Sequence, residues 1–191
     1  MPVDVPLYPV NLLVAGRPVL VVGGGRVAAE KARGLLAAGA VVHVVASTVS
    51  PEVRALDVTW DERPYQPGEV AGYRLAVACT DDRKANQAVF DDGEAAGIWV
   101  NAADQPADCS FILPAIARNG PLAIAVSTGG ASPALARRLR DRAGELLSDE
   151  VVELAADLSQ RRAAVRAAGG STEDVDWSAA LDAVLPPIAP S

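Results

Sequence analysis

Along the first hundred positions, apolar residues fall in short unbroken runs, each followed by a polar turn or an alanine-rich stretch. "VLVV" (Val19–Val22), "VVHVVA" (Val41–Ala46), "YRLAVAC" (Tyr73–Cys79) and "IWVN" (Ile98–Asn101) have the length and apolar content of buried strands. Val27–Ala38 is rich in alanine and leucine and predicts a helix. "TDDRKANQAVFDDGEAAG" has helical periodicity behind a Thr/Asp cap. "DVTWDER" (Asp57–Arg63) alternates weakly, which makes it a candidate third strand. Strands linked by helices at this spacing predict an α/β fold with a Rossmann-like parallel sheet covered on both faces.

After Asp104 the pattern changes. "SFILPAIARNGPLAIAVST" reads as two apolar runs around Asn119-Gly120, a favoured hairpin turn. "ASPALARRLRDRAGELL" predicts a helix with Ser132 as N-cap and Pro133 in its first turn. "SDEVVELAADLSQRRAAVRAA" predicts another, stopped by Gly169-Gly170, and "STEDVDWSAALDAVL" opens with a fresh Ser/Thr–acid cap before a "PPIAPS" tail. The expected division is a Rossmann-like domain over 1–113, a hairpin and helix over 114–147, and a helical region with tail over 148–191. The apolar helix faces of the later region have little local core, which points to burial against another subunit.

Composition narrows the function. Of 191 residues half are hydrophobic and only 4% aromatic, so the core is built of small aliphatic side chains. A net charge of −7 disfavours nucleic acid as a partner. Cys79 and Cys109 lack metal-ligand spacing and His43 stands alone inside a strand, so no metal site is expected. Reduced thiols and the absence of a run near the ~20 apolar residues of a membrane span place the chain in the cytoplasm, away from membranes. Met1-Pro2-Val3-Asp4 lacks the basic start of a signal peptide.

Chemistry enters at the first turn. Gly23-x-Gly25-x-x-Ala28 follows a strand and opens a helix, the setting of a dinucleotide fingerprint. Gly23 allows a sharp turn, Gly25 lets a pyrophosphate approach the backbone, and Ala28 permits close helix–strand contact. The helix N-terminus offers its N–H groups to the phosphates. At the end of the second strand, Ser47 and Thr48 stand where an acid usually binds the adenosine ribose. No arginine adjoins them in sequence, and Arg54 is several residues away, which favours NAD over NADP; alternatively the two residues only start the turn toward Pro51. Thr80 in "CTDD" lies at the same sheet edge, as cofactor contact, helix cap, or both. Asp104 in "WVNAADQPADCSF" could accept a proton as hydride leaves a substrate, or only shape the turn before Pro106; Asp108 competes with it.

"YPVNLLVAGRPVLVVGGGRVAAEKARGLLAAGA", "ACTDDRKANQAV", "WVNAADQPADCSFILPAI" and "LAIAVSTGGASPALARRLRDR" occur in this order from about Tyr8 to Leu147. The chain thereby resembles the siroheme synthase N-terminal family of precorrin-2 dehydrogenases, often also sirohydrochlorin ferrochelatases. The resemblance implies NAD-dependent oxidation of precorrin-2, a tetrapyrrole, to sirohydrochlorin, with Fe2+ insertion in bifunctional members, and a homodimer interlocked through 114–147. It implies Asp104 as the catalytic residue, and Gly23, Gly24, Gly25, Arg26, Val27, Ser47 and Thr48 as cofactor contacts. Asn101, Ser127, Thr128, Gly129 and Gly130 are the implied substrate contacts. Gly129-Gly130, ahead of a helix start, also suit an anion on their own, and the substrate carries eight carboxylates. Arg137, Arg138, Arg140 and Arg142 cannot share one helix face, so some pair with Asp141 and Glu145 or face solvent.

Other readings stand beside this one. A short-chain dehydrogenase needs Tyr-x-x-x-Lys, which none of Tyr8, Tyr65 and Tyr73 supplies. An NAD-sensing regulatory module would explain the glycine turn but neither "NAAD…SFILP" nor "STGGASP". The chain could also belong to a fusion with a uroporphyrinogen methyltransferase.

Overall fold

Strands of valine, leucine and alanine without a polar face must be covered from both sides, and this requirement organises the first half of the molecule. The computed structural model describes residues 6–103 and 105–186. It divides into two compact units, one running up to Leu113 together with Gly129–Ala131, the other comprising the remainder from Pro114.

In the first unit, β1 (Pro18–Val22), β2 (Val41–Ala46), β3 (Thr59–Glu62), β4 (Leu75–Ala78) and β5 (Trp99–Ala102) form one parallel sheet in the order β3-β2-β1-β4-β5. The helices between them are α1 (Arg26–Ala37), a single turn α2 (Pro51–Arg54) and α3 (Arg83–Ala96). The period of two is visible in β1. Val19 and Val21 face a cluster with Ala28, Ala29 and Ala32 of α1 and with Val42, Val44 and Val53. Leu20 and Val22 face the opposite cluster, with Val45, Val70, Ala76, Ala78, Val89 and Val100. Each fully buried valine or leucine contributes about 1.5–3 kcal/mol. The alanines of α1 let the helix backbone lie close on the sheet, which is why so small-sided a core closes.

Strand boundaries differ from the expected ones by a residue or two, and the weak run at Asp57–Arg63 yields a four-residue edge strand. His43 is a strand residue, as expected, its ring bonded to Thr59 Oγ1 at 2.8 Å and stacked on Tyr73.

In the second unit, β6 (Ala115–Asn119) and β7 (Leu122–Val126) form an antiparallel hairpin packed by α4 (Pro133–Gly144), followed by α5 (Asp149–Ala167) and α6 (Ser178–Asp182). Ser132 caps α4 through the Leu135 N–H, as expected. Gly169, at a φ of +78°, follows the end of α5. Asn119 does more than turn the chain: its amide donates to Leu147 O and Asp149 Oδ1, tying the hairpin to the α4–α5 junction. The last helix is much shorter than its sequence pattern suggests. Ser171 accepts from the Glu173 N–H and Asp176 from the Ser178 N–H, local turns that compete with helix. This unit has almost no interior of its own. Among the described residues α5 buries none and α4 only Ala136, while Ile116, Leu135, Leu139 and Leu146 are exposed.

Two helical glycines separate packing from propensity. A Cβ on Gly93 would stand 2.3 Å from Val100 Cγ2, whereas Gly34 has nothing within 4 Å. Gly93→Ala is therefore expected to lower stability by about 1–2 kcal/mol despite the helix gain, and Gly34→Ala to raise it by about 0.5–1 kcal/mol. Urea unfolding midpoints of the two variants should move in opposite directions.

Candidate functional site

In a parallel sheet every strand ends at the same edge, so the loops after β1, β2, β4 and β5 share the carboxyl side. The strand order reverses between β1 and β4, the switch point at which open α/β sheets bind ligands. The glycine turn and Cys79–Thr80 flank that crevice. Gly23 has a φ of +129°, and a Cβ there would lie 2.7 Å from Cys79 O; its N–H donates to Val45 O at 2.9 Å. Gly24 is wedged harder: its Cβ would sit 2.0 Å from Thr48 O, and its own carbonyl accepts from the Ser50 N–H. Gly25 is different. It is exposed, and a Cβ on it would meet nothing within 4 Å. The first two glycines thus join three loops, and the third leaves open space.

That space lies at a helix end with no side-chain cap. Ser50, Asp82, Ser132 and Ser148 cap α2, α3, α4 and α5 with their own side chains. At α1 the N-cap is Gly25, which supplies no side-chain bond, and the first turn holds no acid. The leading N–H groups of α1 and the positive end of its dipole therefore suit a phosphate, and Arg26 and Val27 are exposed beside them. These residues fit the diphosphate of a dinucleotide.

Ser47 and Thr48 are exposed at the end of β2. Their loop is held by a contact that sequence spacing concealed. Glu62, the last residue of β3, is in register with Ala46 and accepts from the Val49 N–H at 3.0 Å and from Arg54 Nη2 at 2.7 Å. Arg54 Nε donates to Val49 O at 3.1 Å. These bonds, the Val49 N–H first, hold the Glu62 carboxyl below its usual range. Arg54, several residues further along the chain, thus bonds the residue that follows the two hydroxyls, a contact that sequence adjacency does not show.

Thr80 is tied into the protein rather than capping α3. Its N–H and Oγ1 both reach Asn86 Oδ1, at 3.1 and 2.9 Å, while Asp82 supplies the cap by accepting from Lys84 and Ala85. Asn86, almost fully buried, returns a bond from Nδ2 to Thr80 O. It is the anchor of this loop, and its one sequence signal is a polar residue on the inner face of α3. Burial pushes the Cys79 thiol up to about 12, so it stays protonated and is no nucleophile.

Asp104 lies outside the described residues. Among the described residues that flank it in the chain, Ala103 N donates to Ala78 O at 2.8 Å, and Asn101 is buried with Nδ2 donating to Phe111 O at 2.9 Å. Asn101 thus spans the loop from inside. Cys109 Sγ bridges Ala102 and Gln105 O, and Gln105 Oε1 is a buried acceptor without a partner among the described residues. Further along, Gly129 and Gly130 both have positive φ (59° and 79°), a pair of left-handed positions that only glycine adopts cheaply. Thr128 Oγ1 closes that loop on Ser132, and Ser127 is exposed. Arg140 pairs with Asp141, while Arg137, Arg138 and Arg142 face solvent.

The three glycines make separable demands. Gly25→Ala is expected to melt within a few degrees of the parent, at a cost under about 1 kcal/mol, yet to bind NAD+ at least about tenfold more weakly. Gly24→Ala must force the β1 and β2 loop backbones apart and is expected to lose about 3 kcal/mol of stability as well. Thermal melting with and without NAD+ distinguishes them.

Comparison with known proteins agrees with this geometry. An NAD(P)-binding family model matches residues 10–115, and a model for the central part of sirohaem biosynthesis proteins matches residues 119–142. A siroheme synthase of Nitrosomonas eutropha is 42% identical over 164 residues, which covers 83% of this chain and 34% of that protein. One of Chromobacterium violaceum is 42% identical over 188 residues, covering 93% and 39%. The chain thus spans little more than a third of the length of these relatives. The solved structure of SirC, a precorrin-2 dehydrogenase, superposes with a TM-score of 0.69 at 27% identity, over 93% of this chain and 87% of that one. With the crevice, the uncapped helix and a match over more than half its length, the chain belongs to the NAD(P)-binding family, and it is similar to siroheme synthases across its described core.

Proposed function

We propose that this chain is an NAD-dependent precorrin-2 dehydrogenase, forming sirohydrochlorin for siroheme or a related tetrapyrrole. The observation that carries the reading is the vacant cap of α1 at the β1/β4 switch point, in a chain that follows SirC over 93% of its length. NAD+ supplies a hydride acceptor when bound. Its diphosphate would be held by the backbone N–H groups at Gly25, Arg26 and Val27, with Gly23 and Gly24 shaping the turn, and its adenosine ribose by Ser47 and Thr48, while Thr80 borders the crevice.

Oxidation of the macrocycle removes one hydride and one proton. Asp104 is assigned the proton: it directly follows Ala103, whose backbone is pinned to the end of β4. Asn101 ties the end of β5 to Phe111 on the far side of the same segment. Ser127, Thr128 and the N–H groups of Gly129 and Gly130 are assigned to substrate carboxylates, with the exposed arginines of α4 raising the local potential in a chain of net charge −7.

A homodimer belongs to the proposal, supported by the uncovered apolar residues of the hairpin and α4. Free Cys79 and Cys109 suit a reducing compartment, and no helix among the described residues is long and apolar enough to cross a membrane. We place the chain in the cytoplasm. Fe2+ enters as a second substrate. It would be taken by the pyrrole nitrogens of sirohydrochlorin, which lose two protons as it binds.

Two measurements test this. Asp104→Asn is expected to lower NADH formation from precorrin-2 by about 100-fold or more with the NAD+ dissociation constant unchanged. Activity near that of the parent would remove Asp104 from the mechanism. Loss of sirohydrochlorin absorbance on adding Fe2+ is expected to be faster with the protein than without it; equal rates would confine the chain to dehydrogenation.

A further inference from the structure

We infer that Glu62 sets the preference for NAD+ over NADP+, by occupying Arg54 at the rim of the adenosine ribose site. The inference rests on the dinucleotide reading above and adds to it the residue that decides the coenzyme.

In this fold class an acid at the end of the second strand bonds the ribose 2′-hydroxyl and repels a 2′-phosphate, whereas an arginine nearby receives that phosphate. Here the acid's position holds Ser47 and Thr48, whose hydroxyls can donate to either group. The loop that carries them is also bonded to Arg54, through Nε to Val49 O at 3.1 Å. Two exposed hydroxyls on a loop whose next residue, Val49, is bonded by a guanidinium would by themselves favour a phosphate.

Glu62 reverses that sign. It lies one strand further out, yet its register with Ala46 brings the carboxylate to the same loop. One oxygen takes the Val49 N–H at 3.0 Å and the other takes Arg54 Nη2 at 2.7 Å. A third side of the guanidinium lies over the Trp60 ring, 5.6 Å from its centroid. Arg54 thus has a carbonyl, a carboxylate and an aromatic face before any ligand arrives. A 2′-phosphate would have to displace a carboxylate from it or sit beside that negative charge. The pair is about two-fifths exposed on each side, so it adds little to folding, and its geometry is better explained by the coenzyme than by stability. Glu62 acts here as a positioning residue, supplying from β3 the discrimination that an acid on β2 ordinarily supplies.

The experiment is isothermal titration of the full chain with NAD+ and with NADP+. The parent is expected to prefer NAD+. Glu62→Gln keeps an acceptor for Val49 but releases Arg54, and should shift the NAD+/NADP+ affinity ratio about tenfold toward NADP+. Adding Arg54→Met to that variant should abolish the shift. Arg54→Met alone, which retains the Glu62 bond to Val49, should weaken NADP+ several-fold while NAD+ holds, and it carries the test if Glu62→Gln does not fold. A purely structural clamp would weaken both coenzymes alike. An unmoved ratio in Glu62→Gln and in Arg54→Met, or a shift that survives the loss of Arg54, would overturn the inference while leaving the NAD reading in place. Failure of the parent to bind either coenzyme would overturn both.

Discussion

The dinucleotide crevice depends on backbone meeting backbone. Gly23 lies against the Cys79 carbonyl and Gly24 against the Thr48 carbonyl, at separations no side chain would permit. These contacts draw the ends of β1, β2 and β4 together, and the N–H of Gly23 and the carbonyl of Gly24 both bond on the β2 side, to Val45 O and the Ser50 N–H. The opening at Gly25 then follows. Once the preceding residues are wedged between neighbouring loops, the chain has to enter α1 on the outer side, with its first N–H groups facing the crevice. The phosphate-binding geometry is a by-product of close packing, and its tolerance for change is set by that packing.

The loops around this point are fixed by polar residues on other elements. Glu62 on β3 holds the β2 loop, Asn86 on α3 holds the β4 loop, and Asn101 on β5 holds the segment after β5. Asn86 and Asn101 are buried polar groups, costly unless satisfied, so each specifies one loop conformation, whereas Glu62 ties its loop from the surface. The valine and alanine layers supply cohesion without direction, and these three side chains supply direction.

The strands and helices of the first unit were legible because their signals are local: apolar runs of strand length, helical spacing, and the Asp and Ser caps. The glycine turn was legible because its strand–turn–helix setting lies within eight residues. Glu62 was not, since it acts on a loop reached only through strand register, and Asn86 and Arg54, though only six and five residues from the carbonyls they bind, carry no pattern that marks them as loop anchors. Nothing in "WDER" marks its glutamate as facing Val49. The final helix failed for the opposite reason. Its Ser/Thr–acid pattern is a real local signal, but those side chains bond their own turn, and no packed face extends the helix over it. A local signal without tertiary support ends where its hydrogen bonds end.

Charge explains how an acidic chain can serve anionic ligands. The sum of −7 says little about any one place, because screening confines exposed charges to about 8–10 Å. Several carboxylates are spent on the protein's own donors: Glu62 and Glu69 on arginines, Asp82 on the α3 amides. Where a side chain caps its helix, the N-terminus is already neutralised and offers a ligand less. Among the described residues, α1 is the one of four long helices without such a cap, and it starts at the switch point of the sheet. The chain therefore presents its least compensated positive pole where a diphosphate would lie. It does so without a basic residue having to supply the field, and backbone dipoles, unlike lysine, bring no flexible side chain that must be ordered on binding.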